Sequence, residues 1–474
     1  MSSMLLNSYL IAPSNALWGN LVDAEGKSLA NFMVKFTQGS VTIDWGDGVF
    51  TNATSGTFIN RRTDLGNPLG DTSEIRLITN NAIITEIRLG QSSSPRLGGT
   101  INLDAYPHLV DFRSGANAIT GTIPNLNDKP NLELFYCLSN QLTGPIPSLD
   151  GLTNLRVFDC NQNQLTGSIP SLTGLSSLED FRCTLNQLIG SIPSLDGLTD
   201  LRVFHCGFNQ LTGVIPSLDG LTNLRDFRCP VNQLTGTIPN LNDKPNLEFF
   251  YCLSNQLTGP VPSLDGLTNL RIFHCSSNQL TGSIPSLDGL TNLQIFNCNI
   301  NQLTGPVPSL SGLTNLVDFN CNTNQLTGPI PSLSGLINLR VFRCHENNLT
   351  GSIPNLDGLT GLVDFNCRNN QLTGAIPSLA GLNSLSVFRS RTNLLTDFEG
   401  GTVSNTIRLF EAQNNQLTST AVNAILSAFV EAGRTNADGS CELNLGGTGN
   451  AAPTGQGLTD KQTLIDRGWT VTTN

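Results

Sequence analysis

Residues 152–174 read LTNLRVFDCNQNQLTGSIPSLTG, and close copies of this stretch follow one another along most of the 474-residue chain. One cysteine marks the same position in eleven consecutive copies, 23 residues apart, whereas Cys441 lies outside the series. The eleven are Cys137, Cys160, Cys183, Cys206, Cys229, Cys252, Cys275, Cys298, Cys321, Cys344 and Cys367. An asparagine follows the same period from Asn117 to Asn393 and recurs at Asn415, which gives fourteen units. A fixed period of about 20–29 residues indicates a solenoid, whose stacked turns bury one continuous core.

Apolar and polar residues alternate over a short segment within each unit. In the quoted copy, Phe158 and Cys160 alternate with residues 157, 159 and 161, which is the period of a β-strand. We expect Phe and Cys to point inward and the alternate positions to form the concave surface. The amide of Asn163 is expected to pair with backbone groups of adjacent turns, because an unsatisfied backbone group costs about 1–3 kcal/mol.

The repeat resembles the leucine-rich repeat, and in particular its plant-type subclass with an LTGxIP segment. The family pattern LxxLxLxxNxLxGxIP appears here as LxxFxCxxNQLTGxIP, with Phe and Cys at two Leu positions. The resemblance implies a right-handed horseshoe or superhelix with a parallel sheet on its concave side. We therefore predict an α/β-type repeat solenoid dominated by parallel β-structure, with a small N-terminal β-domain and a C-terminal α/β cap.

Residues 1–85 lack the repeat and are predicted to form the N-terminal β-domain. The segment VTIDWGDG, residues 41–48, resembles a motif of polycystic-kidney-disease-like (PKD-like) β-domains of bacterial surface and phage proteins. Asp44 and Asp47 have the chemistry of calcium ligands, but a calcium loop needs more oxygens than they supply. A hairpin turn after a strand is therefore the expected structure.

The solenoid is predicted to occupy residues 86–417, in about fourteen units, and the cap residues 418–474. Apolar residues from Val422 to Val430 follow helical spacing, and Thr459 with Gln462 forms a capping-box pattern for a second, short helix. Residues 441–445 and 469–473 alternate as strands. This tail resembles the C-terminal ends of repeat proteins encoded by phages and environmental bacteria.

The periodic cysteines are expected to be reduced, buried and small apolar side chains. A zinc array would need matching histidines, and stacked parallel strands suit disulfide bridging poorly. Free thiols favour folding in a reducing compartment. Extracellular plant-type repeats usually carry cysteine-paired caps, which this sequence lacks, so a plant receptor or inhibitor role is not expected.

Composition and motifs argue against several classes of function. The net charge is −11, from 36 acidic and 25 basic residues, which disfavours nucleic acid as a partner. The chain has no run of 18 apolar residues to span a membrane, and its first twenty residues do not resemble a secretory signal. The four histidines stand in no catalytic or metal-binding motif, so we predict no enzyme, no cofactor and no metal site.

The candidate binding residues lie one position before each periodic cysteine, in the central column of the predicted concave face. This column reads Arg113, Tyr136, Asp159, Arg182, His205, Arg228, Tyr251, His274, Asn297, Asn320, Arg343, Asn366, Arg389 and Glu411. Planar hydrogen-bonding side chains suit sugars, carboxylates or phosphate-bearing glycans. The predicted ligand-binding residues are Arg182, His205, Arg228, Tyr251, His274, Tyr136 and Arg343. In the alternative, Asp111, Asp180 and Asp226 merely neutralise the arginines two residues later.

These features predict a non-catalytic binding or structural protein. The leading hypothesis is a phage virion component, a tail fibre or surface decoration, that is made in the bacterial cytoplasm and presents its solenoid on the virion surface for host glycan or protein recognition. Other virion proteins would be its further partners, and the sequence leaves the oligomeric state open. The alternatives are a bacterial cell-surface or secreted adhesin, and a decoration protein without a ligand.

Overall fold

Each 23-residue repeat forms one turn of a parallel β-solenoid, with a three-residue main strand centred on the inward-pointing phenylalanine. Equivalent strands pair in register, as in Leu134↔Val157, Phe135↔Phe158 and Tyr136↔Asp159. The computed structural model describes residues 15–22, 28–36, 40–44, 50–53, 76–80, 84–89, 98–435 and 441–474. They belong to two compact units, Met1–Thr235 and Gly236–Asn474, which are described separately. The predicted fold class is confirmed.

The first unit contains seven main strands that pair in parallel in chain order. They are β6 (Ile84–Leu89), β8 (Asp111–Arg113), β10 (Leu134–Tyr136), β12 (Val157–Asp159), β14 (Asp180–Arg182), β15 (Val203–His205) and β16 (Asp226–Arg228). A second row of short parallel strands occurs in some of the turns, in most cases just after the periodic asparagine. It contains β7 (Gly98–Gly99), β9 (Ala118–Ile119), β11 (Thr143–Pro145) and β13 (Gln164–Thr166).

The second unit continues the same design with ten main strands. They are β17 (Phe249–Tyr251), β19 (Ile272–His274), β21 (Ile295–Asn297), β22 (Asp318–Asn320), β24 (Val341–Arg343), β26 (Asp364–Asn366), β28 (Val387–Arg389), β30 (Leu409–Glu411), β31 (Glu442–Asn444) and β32 (Thr470–Thr472). Its second row contains β18 (Thr258–Pro260), β20 (Gln279–Thr281), β23 (Thr327–Pro329), β25 (Asn348–Thr350), β27 (Thr373–Ile376) and β29 (Leu394–Phe398).

The core is a set of columns that repeat from turn to turn. The phenylalanine rings stack on one another, and Phe158 lies 5.3 Å from Phe135 and 5.5 Å from Phe181 between ring centroids. The rings and the periodic cysteines are fully buried, together with several leucines of each turn. No single turn could bury these groups alone, so the hydrophobic stabilisation comes from stacking.

The periodic asparagine fastens each turn to the one before it. The Asn163 Nδ2 donates to the carbonyls of Cys137 and Cys160 at 3.0 and 3.1 Å. Its Oδ1 accepts from the backbone N–H of Leu142 at 3.0 Å. The predicted pairing of this amide with adjacent turns is therefore confirmed.

The N-terminal segment contributes antiparallel strands. They are β1 (Asn15–Val22), β2 (Ser28–Phe36), β3 (Ser40–Asp44), β4 (Phe50–Ala53) and β5 (Arg76–Asn80). Strand β2 pairs antiparallel with both β1 and the first main strand β6, so a hairpin covers the edge of the parallel sheet. Asp47 and the side chain of Asp44 lie outside the described residues, and the boundaries of the PKD-like domain stay a prediction.

The cap at the C-terminal end combines two helices with the last two main strands. Helix α1 (Ser419–Glu431) begins after Thr418, whose hydroxyl accepts from the Ala421 N–H at 3.2 Å. The predicted capping box at Thr459 is wrong, because α2 (Gln456–Asp466) begins three residues earlier, after Gly455. Thr459 therefore lies inside the helix, where its carbonyl accepts from the Thr463 hydroxyl at 2.9 Å.

Candidate binding surface on the main sheet

The first and third residues of the main strands from β8 onward point away from the core and form one continuous surface within each unit, here called the main-sheet face. It corresponds to the predicted concave face. Most of its side chains are half-buried, because each lies between equivalent residues of the strands on either side. All seven predicted binding residues occupy this face, at the third position of their strands.

The cationic candidates of the first unit, Arg182, His205 and Arg228, lie beside acids. Arg182 Nε and Nη2 donate to the two carboxylate oxygens of Asp180, each at 2.8 Å. Arg228 Nε and Nη2 donate to Asp226 at 2.7 and 2.8 Å, and His205 Nε2 lies 3.0 Å from Asp226 Oδ2. Strands β14, β15 and β16 thus bring Arg182, His205 and Arg228 together, but their own aspartates neutralise much of the charge.

Tyr136 lies two strands away from Arg182 in the same unit. The guanidinium of Arg113 is 5.0 Å from the centre of its ring, and Arg113 Nε also donates to Asp111 Oδ1 at 2.9 Å. Burial raises the pKa of Tyr136 and outweighs the lowering effect of Arg113. The phenol is therefore a neutral donor near pH 7, beside a cation that is already engaged.

The second unit pairs Tyr251 with His274 on adjacent strands. Their ring centroids are 6.0 Å apart and the planes are tilted by 48°. His274 Nε2 lies 2.8 Å from the Ser276 hydroxyl, and burial lowers the pKa of the imidazole. The lowered pKa moves protonation to more acidic pH, so this pair offers neutral aromatic surface and hydrogen bonds.

Arg343 lies three strands further along the same unit and belongs to a chain of ion pairs. Its Nε and Nη2 donate to Asp364 Oδ2 at 2.8 and 2.6 Å. Arg389 Nη1 approaches Asp364 Oδ1 at 3.8 Å, and Arg389 Nε lies 3.2 Å from a carboxylate oxygen of Glu411. Arg343 therefore does not face Tyr251 and His274 as part of one compact cluster.

Among the described residues of this face, three buried acceptor oxygens have no hydrogen-bond partner within the protein, the Oδ1 atoms of Asn297, Asp318 and Asp364. None of the three is a predicted binding residue. The two aspartates belong to strands β22 and β26, which read Asp-Phe-Asn, whereas β8, β14 and β16 read Asp-Phe-Arg. Whether any residue of the face binds a ligand stays a prediction.

The repeat pattern and the stacked parallel strands are consistent with a leucine-rich-repeat protein. A family model described as "Leucine Rich repeats (2 copies)" matches residues 268–305. A search of curated protein sequences found no match.

Solved leucine-rich-repeat structures resemble this chain. A TDR receptor structure is 28% identical, covers 71% of this chain and 61% of its own, and has a TM-score of 0.64. The plant peptide hormone receptor RGFR1 in complex with RGF2 is 26% identical, covers 82% and 62%, and has a TM-score of 0.69. The functional domain of InlJ from Listeria monocytogenes is 20% identical, covers 72% and 70%, and has a TM-score of 0.53, which shows a shared fold. This chain thus spans about three fifths of the length of the first two structures.

Neither a membrane-spanning helix nor a metal site is present within the described part of the chain. No helix there has both the length and the apolar character to cross a membrane. The same residues contain no group of three or more His, Cys, Asp or Glu side chains arranged to hold a metal ion. A binding or protein-interaction role is what the leucine-rich-repeat fold supports.

Proposed function

We propose that this chain is a non-catalytic recognition protein that binds a protein or glycan on its main-sheet face. The observation that carries the proposal is the pair of half-buried rings of Tyr251 and His274, whose centroids lie 6.0 Å apart on adjacent strands of that face. Rings that keep exposed surface and a polar atom suit stacking and hydrogen bonding with a ligand.

The structural relatives support a binding role. RGFR1 is described as a peptide hormone receptor and was solved with RGF2 bound. That likeness supports an interaction role here and leaves the ligand to experiment. The paired arginines of the first unit weaken the hypothesis of an anionic glycan there, since exposed, already neutralised charges add little to binding.

We propose the surface of a phage particle as the setting, with other virion proteins as further partners. The free, buried cysteines support folding in a reducing cytoplasm before display. A bacterial surface adhesin is the alternative. Immunogold labelling of purified particles and of host cells distinguishes the two, because a virion protein must label the particle and an adhesin the cell envelope.

A selective chemical block tests the binding face. Because the native cysteines are buried, a cysteine introduced at His274 can be coupled to a maleimide-polyethylene glycol, and mass spectrometry can verify a single modification. The matched control carries the same polymer at Asp288, an exposed residue in a loop outside the main strands. Both proteins are then applied to a mixed glycan array, a peptide array and host cells.

The proposal predicts that any binding by the wild type is abolished by the polymer at residue 274 and kept with the polymer at residue 288. Equal binding by both modified proteins would exclude the main-sheet face as the site. Binding by neither the wild type nor the modified forms to any of the three targets would favour the purely structural alternative.

A further inference from the structure

Each turn with a periodic asparagine places the residue directly before that asparagine in the left-handed backbone conformation. Fourteen residues share this position, from Ala116 to Asn414, with φ between 52° and 58°. This conformation is uncommon outside glycine and is unfavourable for a bulky side chain. Ten of the fourteen are Ala, Ser, Thr, Gln, Glu or Asn. The bulky apolar exceptions are Leu185, Phe208, Val231 and Ile300.

Three of these exceptions lie side by side on consecutive turns of the first unit. Leu185, Phe208 and Val231 are here called the apolar row, and they are 44%, 47% and 37% exposed. The N–H of Asn186 donates to the carbonyl of Phe208 at 3.3 Å, and the N–H of Asn209 donates to the carbonyl of Val231 at 3.2 Å. Backbone bonds thus hold an exposed apolar strip together at strained positions, a combination that indicates a contact surface.

A duplicated block of the chain gives an internal comparison for the apolar row. The segment TGTIPNLNDKPNLE begins at residue 120 and recurs at residue 235, so the second block repeats the first 115 positions later. The counterparts of the apolar row are Ile300, Thr323 and Glu346. There the Thr323 hydroxyl donates to Glu346 Oε2 at 3.0 Å, and Arg368 Nη2 donates to Glu346 Oε1 at 2.7 Å. The same backbone position therefore accepts polar residues, so the repeat itself does not require the apolar row.

The residues that flank the apolar row in the sequence carry no charge. Those directly before its members are Thr184, Gly207 and Pro230, and those two positions after them are the exposed Gln187, Gln210 and Gln233. The whole chain has a net charge of −11, so two copies repel each other in general. At an uncharged apolar strip they can meet without facing like charges. The flanking amides both donate and accept hydrogen bonds, so they can pair with the same amides of a second copy.

We propose that the apolar row is the contact through which two copies of this chain form a two-fold symmetric dimer. A two-fold contact places a surface against the same surface of the second copy, so the surface must be complementary to itself. An axis at Phe208 packs its ring against Phe208 of the second copy, and it packs Leu185 against Val231 of the second copy. The inference goes beyond the proposed function, because the apolar row lies outside the main-sheet face.

Sedimentation velocity of the full-length protein over about a hundredfold range of concentration tests the association. The wild type should shift from monomer to dimer as the concentration rises. F208D places two like charges at the axis and should raise the dissociation constant at least about tenfold. I300D is the matched control, because Ile300 has the same backbone conformation and is 50% exposed, and it should change the constant less than about twofold.

Introduced cysteines test the two-fold geometry, since the native cysteines of the described chain are buried and do not compete. F208C should form a disulfide with its own copy under mild oxidation. A mixture of L185C and V231C should form a mixed disulfide, whereas L185C alone and I300C alone should link far more slowly. Non-reducing gel electrophoresis measures the linked fraction, and circular dichroism melting curves check that all variants fold.

The inference is overturned if the wild type stays monomeric over the whole range, if F208D and I300D associate alike, or if L185C links to itself as fast as it links to V231C. A monomeric wild type whose binding to host cells is lost in F208D also overturns it, since the apolar row would then contact a different protein. The polymer block at residue 274 tests the proposed function on the second unit, so the two can fail separately.

Discussion

The interior and the main-sheet face are built from the same strands, yet the interior repeats strictly and the face does not. The central position of every main strand from β8 to β30 is a fully buried phenylalanine. The next residue, on the face, is Arg, Tyr, Asp, His, Asn or Glu in different turns. Even the two kinds of aspartate strand differ only at this outward residue.

This difference shows where neighbouring turns constrain the sequence. A ring such as Phe158 contacts the equivalent ring of the turns on both sides, and Asn163 bonds to the preceding turn, so a change in one turn affects its neighbours. An outward side chain makes fewer obligatory contacts and can vary.

The largest expected effect is on the reactivity of the interior cysteines. Burial raises the pKa of Cys321 to about 12 and raises the pKa of Cys160 and Cys344 as well, so the reactive thiolate is scarce in addition to being covered. Native thiols should react at least about 10³-fold more slowly than those of the unfolded chain. The rate of the absorbance change with a thiol reagent, recorded for the native and for the denatured protein, measures this ratio. Fast labelling of several native thiols would contradict the inward assignment.

The next effect concerns the phenylalanine stack. F158A should lower the free energy of unfolding by about 3–5 kcal/mol, because it removes buried ring surface and leaves a cavity between Phe135 and Phe181. F158L, which keeps most of the apolar volume, should cost clearly less. Urea denaturation followed by circular dichroism gives both values. A loss below about 1 kcal/mol for F158A would show that the ring does not support the core.

The asparagine column should contribute less per residue than the phenylalanine column. N163A should cost about 1–3 kcal/mol, since it leaves the carbonyls of Cys137 and Cys160 and the N–H of Leu142 without this partner. Gln164 in the same turn is exposed, and Q164A serves as the control with an effect within about 0.5 kcal/mol. Equal losses for the two variants would mean that the amide bridge does not hold the turns together.

Much of the interior could be predicted from the sequence because its period is strict. The inward phenylalanine and cysteine columns, the asparagine bridge and helix α1 all follow from spacing. The spacing does not predict two buried lysines, Lys129 and Lys244. They occupy positions where other turns have leucine, and both are 0% exposed. Each ammonium group contacts the preceding aspartate, Asp128 or Asp243, which is an interaction that apolar periodicity does not encode.

The candidate site was only partly predictable. The column of outward residues was placed correctly, but whether a given arginine is free depends on pairing between side chains. The pairs Arg182–Asp180 and Arg228–Asp226 lie within one strand and were considered as an alternative. The Arg343–Asp364 pair joins two turns, and Asp318 has no ion pair with any residue that the structure describes. Such competition for one cation depends on three-dimensional geometry.

The smallest expected effect is on stability when Asp226 or Asp318 is replaced by the isosteric asparagine. We expect the two replacements to change the free energy of unfolding in opposite directions. Burial would raise the pKa of Asp226, but its contacts with His205 and Arg228 outweigh burial and lower it. The pKa of Asp318 is raised, mainly by burial. The ionised form is therefore stabilised by folding at Asp226 and destabilised by folding at Asp318.

We accordingly expect D226N to lower the free energy of unfolding at pH 7 by about 1–2 kcal/mol and D318N to raise it by up to about 1 kcal/mol. Acid should remove both differences. The stabilisation from Asp226 is lost as pH falls through its lowered pKa, whereas the destabilisation from Asp318 is gone below the unfolded value near about 4. Thermal unfolding of both variants and of D288N at several pH values measures this. The same sign for D226N and D318N at pH 7 would mean that Asp318 has a partner after all, and that the Asp-Phe-Arg and Asp-Phe-Asn strands are electrostatically equivalent.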